Sequence, residues 1–96
     1  MRRAARTDEN QIQLVSQLRG QGYSVVSLSA VGKGVPDLLV GYNGKNYLFE
    51  VKDPDKSPSQ RKLTPDQIKF HASWEGQISV IEEINDAIEI IEADDA

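Results

Sequence analysis

The tightest constraint on this chain is one dipeptide. Asn43-Gly44 is the pair most favoured for a two-residue type I′ turn, and it separates two runs rich in strand formers, DLLVGY (37–42) and KNYLFEVK (45–52). The two runs must then be antiparallel neighbours. With Asn43 and Gly44 in the turn, Tyr42 opposes Lys45 and every opposed pair sums to 87, which sets Asp37 opposite Glu50. Directly opposed residues share a face, with Cβ atoms roughly 4.5–5.5 Å apart. Two carboxylates there repel by roughly 3 kcal/mol at an effective dielectric near 20. Either one of them takes up a proton or a cation sits between them. Lys52 follows Glu50 by two positions and projects from the same face.

Both acids lie inside apolar runs, where charge is seldom kept without a partner. The competing reading is a solvated strand end with a weak ion pair. Leu38, Val40, Tyr47, Phe49 and Val51 fall on one face of the hairpin, and Leu39 and Leu48 on the other. That distribution predicts a sheet covered on both sides.

The rest of the chain supplies the covers. Thr7 is placed to cap a first helix with Asp8 and Glu9 in its first turn and Ile12, Leu14, Val15 and Leu18 as its apolar face, ending at Gly20 or Gly22. Residues 23–30 (YSVVSLSA) read as a strand, followed by the glycine loop Val31-Gly32-Lys33-Gly34-Val35-Pro36. Residues 53–62 (DPDKSPSQRK) read as an exposed loop and the most mobile segment. Thr64 caps a second helix with Pro65 at its first position, running to about Trp74, with Phe70 and Trp74 assigned to the core. Residues 77–81 read as a short strand, and Asn85 as the cap of a last helix through Ile91. The order is αβββαβα in one domain over residues 1–96, with 1–6 and 93–96 expected to fray. In the last helix Ile84, Ile88 and Ile91 share a face that Ala87 and Ile90 widen. It either closes the core or forms a two-fold contact between copies.

Composition narrows the chemistry. Without cysteine, and with one histidine, a metal site here must use oxygen ligands and hold a hard cation. No apolar run approaches the roughly 20 residues of a membrane span, so a cytoplasmic protein is expected. The net charge of -4 conceals an asymmetry: all eleven Lys and Arg fall in residues 1–74 against seven acids, and residues 75–96 carry eight acids and no base. A basic front suits a nucleic-acid partner, although a solvated acidic tail on an ordinary domain accounts for the same numbers.

Pro36-Asp37, twelve intervening residues, then Glu50-Val51-Lys52 resembles the PD-(D/E)XK nuclease superfamily. The segment Gly32–Leu38, an acidic residue (Glu9) in the first helix, and Leu63-Thr64-Pro65-Asp66-Gln67 look like its VRR-NUC branch, the virus-type replication-repair nucleases. The resemblance covers roughly residues 8 to 91. It implies an α/β restriction-endonuclease-like fold, a mixed central sheet flanked by helices. It also implies metal-dependent cleavage of branched or flapped DNA, in a phage or bacterial protein or a repair enzyme's nuclease module. By the same resemblance Asp37, Glu50 and the Val51 carbonyl would ligate Mg²⁺ or Mn²⁺, and Lys52 would orient the attacking water. Glu9 would hold a second metal or one of its waters, against a bland role in the helix dipole. Gln67 would position Lys52 or a phosphate, and His71, on Gln67's helix face, reads as structural. Arg6, Lys33, Arg61, Lys62 and Lys69 are candidate phosphate contacts. A four-way (Holliday) junction cut by a homodimer is the expected substrate and assembly, with a non-catalytic nucleic-acid-binding module carrying a vestigial metal site as the alternative.

Overall fold

The computed structural model describes residues 9–95, so the expectations for Arg6, the Thr7 cap and residues 1–6 lie outside it. The described elements are α1 (Glu9–Gly20), β1 (Ser24–Ser27), β2 (Leu38–Tyr42), β3 (Lys45–Val51), α2 (Pro65–Ser73), β4 (Ser79–Ile81) and α3 (Ile84–Asp95), with a 3-10 turn at Pro58–Arg61. This is the predicted order. The sheet runs β1-β2-β3-β4, antiparallel up to β3 and parallel between β3 and β4, hence mixed. Asn43 and Gly44 both take positive φ (54° and 80°), as a type I′ turn requires. Tyr42 pairs with Lys45 and Leu38 with Phe49, the register derived from the turn.

One sheet face is the core. Val25, Leu38, Val40, Tyr47, Phe49, Val51 and Ile81 pack with Leu14 and Leu18 of α1 and Ala87 and Ile91 of α3. Ile12, expected on that face, is 58% exposed, and Gln11 takes its place in the buried stripe with Leu14 and Leu18. The opposite face is only partly covered, contrary to the two-sided expectation. Leu39 and Leu48 are half-buried, whereas Val26 and Val80 are exposed. Trp74 is exposed too, stacked on Phe70 with ring centroids 5.2 Å apart beside Leu39 and Leu48. The core assignments of Trp74 and of half-buried Phe70, both outside the core cluster, are therefore corrected: a nine-residue α2 shields only part of this face.

Three element ends shift for local reasons. β1 stops at Ser27 because the Leu28 carbonyl takes the Val31 N–H (2.9 Å), turning the chain out of the sheet. β4 begins at Ser79 because the Gln77 side chain occupies the ladder, accepting from Leu48 N–H (2.6 Å) and donating to its carbonyl (3.3 Å). Asn85 lies within α3 and does not cap it. Asp86, in the first turn, reaches back to accept the N–H groups of Glu82 and Glu83, which precede the helix, at 2.8 and 3.2 Å. Where the sequence predicts fraying, α3 continues to Asp95. Asp94 accepts from Tyr47 Oη (2.9 Å) and pairs with Lys45, and Asp95 accepts from Asn43 (2.6 Å). The apolar surplus of α3 is absorbed by its own chain: Ile84, Ile88 and Ile90 all pack against the core. All three stay half-buried, so this face closes the core while part of it still reaches the surface.

Candidate active site

The hairpin end opposite the turn opens into a cleft of about 260 Å³ lined by Asp37, Glu50, Val51, Lys52 and Gln67, with Gln11 and Ser29 on one side and Asp53, Lys56 and Gln60 at its rim. Buried Pro36 enters β2 with Asp37 half-buried at its mouth. Asp37 Oδ2 accepts the Val51 N–H at 2.8 Å, so the carboxylate is held across the strand pair as the register requires.

Glu50 is 1% exposed. Its Oε2 accepts from Gln67 Nε2 at 3.0 Å, and its Oε1 has no partner. The facing carboxyl groups of Glu50 and Asp37 can share a hydrogen bond only when one of them carries a proton. Burial first, then the hydrogen bond with Asp37 and its charge, push the Glu50 pKa from 4.5 up to about 8, with Lys52 opposing. Of the two outcomes open to facing carboxylates, this raised pKa favours a shared proton wherever no cation lies between them.

Gln67 is the hub. Its Oε1 accepts from Lys52 Nζ at 3.0 Å and from the Thr64 N–H at 2.9 Å, while its Nε2 serves Glu50. The capping box that starts α2, with Thr64 Oγ1 accepting the Gln67 N–H (3.3 Å), therefore also fixes the lysine and the buried acid. The helix is docked by Gly34. A Cβ there would run into the Asp66 carbonyl, and its φ of +82° suits glycine alone. The glycine loop thus brings α2 against the strand that carries Asp37.

The donor set suits Mg²⁺ or Mn²⁺. An unpartnered buried carboxylate oxygen faces a second carboxylate, and Mg²⁺ is typically held by one or two carboxylates with several waters. Val51's N–H points toward Asp37, and in an extended strand its carbonyl projects from the same edge, leaving that oxygen available. No cluster of three or more His, Cys, Asp or Glu side chains able to hold a metal occurs among the described residues.

Glu9 is accordingly not brought in. It is exposed at the start of α1 and does not line the cleft. Its helix neighbours take part: Gln11, 5% exposed, donates to Ser29 Oγ at 2.7 Å, and Asn10 donates to the Lys52 carbonyl at 3.3 Å. The sequence signal for Gln11 was its place three residues before Leu14, on the buried stripe. Of the candidate DNA contacts, Lys33, Lys62 and Lys69 are exposed away from the cleft lining. Arg61 is already paired with Glu82 at 3.1 Å. His71 is half-buried on α2, its Nε2 unpartnered, and burial followed by the charge of Lys52 lowers its pKa.

Among family models, that of the archaeal Holliday junction resolvases (Hjc) matches residues 2–79. The superfamily resemblance and the fold agree with this match, which falls to the resolvases and does not identify the VRR-NUC branch. No curated protein and no solved structure matches the chain.

Proposed function

Because the chain belongs to the archaeal Holliday junction resolvase family, we propose that it is a Mg²⁺- or Mn²⁺-dependent endonuclease cutting four-way DNA junctions, with Asp37, Glu50 and Lys52 at its centre. The observation that carries the metal dependence is Glu50: almost fully buried, opposite a second acid, with one oxygen unpartnered. Asp37, Glu50 and the Val51 carbonyl would hold the ion. A bound ion of this kind supplies Lewis acidity toward a phosphate and acidifies water. Lys52, held at 3.0 Å by Gln67, orients the attacking water and offsets the negative charge that builds on the phosphate. Gln67 acts through Lys52 and Glu50 and is a positioning residue. Asn10 and Lys52 N–H, which donates to the Ile81 carbonyl at 2.9 Å, fix the backbone from which the lysine projects.

Resolving a junction requires paired cuts on two strands, and each chain carries one such cleft, so the acting species is a homodimer. The half-covered sheet face with Val26, Val80 and Trp74 offers apolar surface more exposed than the half-buried isoleucines of α3. The likeness of Leu63–Gln67 to the VRR-NUC branch supports the same chemistry on branched DNA.

The test is a panel of duplex, flap and four-way-junction DNA, each strand labelled in turn, with Mg²⁺, Mn²⁺ or EDTA, alongside sedimentation at micromolar protein. Paired cuts in the junction, lost in EDTA and in Lys52→Ala, are expected from a dimer. Cleavage that persists in EDTA contradicts the metal centre, and cuts confined to one strand by a monomer contradict the paired-cut assembly.

A further inference from the structure

The segment between Lys52 and Thr64 carries several internal hydrogen bonds, and it places a lysine at the rim of the site. At its start Lys52 N–H bonds the Ile81 carbonyl. Asp53 then builds a turn, its Oδ1 accepting the Asp55 N–H (2.9 Å) and its carbonyl the Lys56 N–H (3.1 Å). Ser57 and Gln60 close a capping box over the 3-10 turn, with Pro54 and Pro58 limiting the backbone on either side of Lys56. At its end Arg61 is tied to Glu82 beside β4.

Lys56, carried between these anchors, lines the cleft with Asp37, Glu50 and Lys52. Only two ion pairs within 4.0 Å occur among the described residues, Lys45–Asp94 and Arg61–Glu82, and neither involves Lys56. Its ammonium is therefore not spent on the acids beside it. Gln60 lines the same rim. Its amide oxygen is taken by the Ser57 N–H and hydroxyl (3.3 and 3.2 Å), which leaves its NH₂ for a ligand. A compact cation next to an amide donor suits a phosphodiester oxygen.

We propose that Lys56 and Gln60 form a second phosphate subsite, binding a DNA phosphate next to the one attacked and so setting the path of the cut strand through the cleft. This rests on the nuclease reading for its geometry, because the attacked phosphate is the one beside Asp37, Glu50 and Lys52. Lys56 is a substrate-binding residue, distinct from the chemistry at Lys52.

Binding of four-way-junction DNA by Lys56→Ala is measured in a Glu50→Gln background, where no cutting confounds it, and steady-state cleavage in the otherwise native chain. Each phosphate contact contributes about 0.9 to the salt slope, so between about 50 and about 200 mM salt the affinity advantage of the Lys56 protein should shrink about 3.5-fold. Lys45→Ala removes equal charge at the other end of β3, roughly 20 Å away along the strand, and should leave the slope unchanged. In the cutting chain Lys56→Ala should raise KM and hold kcat within about twofold, and Lys56→Arg should restore KM. Gln60→Ala should raise KM without altering the slope. An unchanged slope in Lys56→Ala, or a loss of kcat at constant KM, overturns the subsite. If the parent fails to cut while Lys56→Ala still lowers the slope, the nuclease reading falls and Lys56 stands as a DNA-phosphate contact only. If the parent cuts and the slope is unmoved, the reverse holds.

Discussion

Replacing Glu50 by glutamine should stabilise the metal-free protein at pH 8 while removing its cleavage activity. In the folded chain Glu50 keeps its proton up to about pH 8, whereas an ordinary glutamate releases it near 4.5. Between those values the folded state binds the extra proton, so this contribution is complete below about 4.5 and is lost as pH rises through about 8. His71 works in the opposite sense. Its pKa lies below 6.5, lowered by burial and then by Lys52, so its contribution grows with pH and is nearly complete at neutrality. The interval from about 6.5 to about 8 therefore isolates Glu50. At 1.36 kcal/mol per unit, stability should fall by about 2 kcal/mol at most across it. For a domain of this size that lowers the melting temperature by about 10 °C.

Glutamine has no proton to lose, and its amide can donate to Asp37 while its carbonyl accepts from Gln67. Thermal melts in EDTA at several pH values should slope downward for the parent and stay flat for Glu50→Gln, with the variant the more stable at pH 8. Mn²⁺ should raise the parent's melting temperature at pH 8 and leave the variant's unchanged. A parent profile that is flat or rising over this interval, or an equal slope in both proteins, would refute the reasoning.

Further outcomes follow from the same geometry. Free Mn²⁺ at about 100 times its Kd should stabilise the parent by about 2.7 kcal/mol. Asp37→Asn should blunt that gain in a melt, and a full gain would place the ion elsewhere. Lys52→Ala should abolish cleavage in a protein that still melts cooperatively, and undiminished activity would remove Lys52 from the chemistry. Gln67→Ala, which frees Lys52 and strips Glu50 of its donor, should reduce cleavage about 10- to 100-fold, read by single-turnover kinetics. Gly34→Ala should cost on the order of 1–3 kcal/mol in denaturant melts, since the added Cβ meets the Asp66 carbonyl at a positive φ, and an unchanged midpoint would contradict that docking.

What the sequence determined by itself rested on short-range rules. A two-residue turn has few conformations, so Asn43-Gly44 fixed the register and with it the facing of Asp37 and Glu50. Thr64-Pro65 fixed the start of α2 because a side-chain cap and a preset φ act within one turn. The charge conflict between the two acids was also legible, since strand periodicity is local. Tertiary structure decided what depends on the rotation and docking of whole elements. A helix's sequence does not fix which stripe meets the sheet to within one residue, so Gln11 turned inward while Ile12 and Glu9 stayed out. Nor does it say how much of a face a helix covers, and Trp74 was left exposed. The apolar surplus of α3 had two readings, and the packing of half-buried Ile84, Ile88 and Ile90 on the core supplies one of them. Gln67 became the link between Lys52 and Glu50 only when the close approach of Gly34 and Asp66 set α2 beside β3, a contact between residues far apart in the chain that no short-range rule encodes.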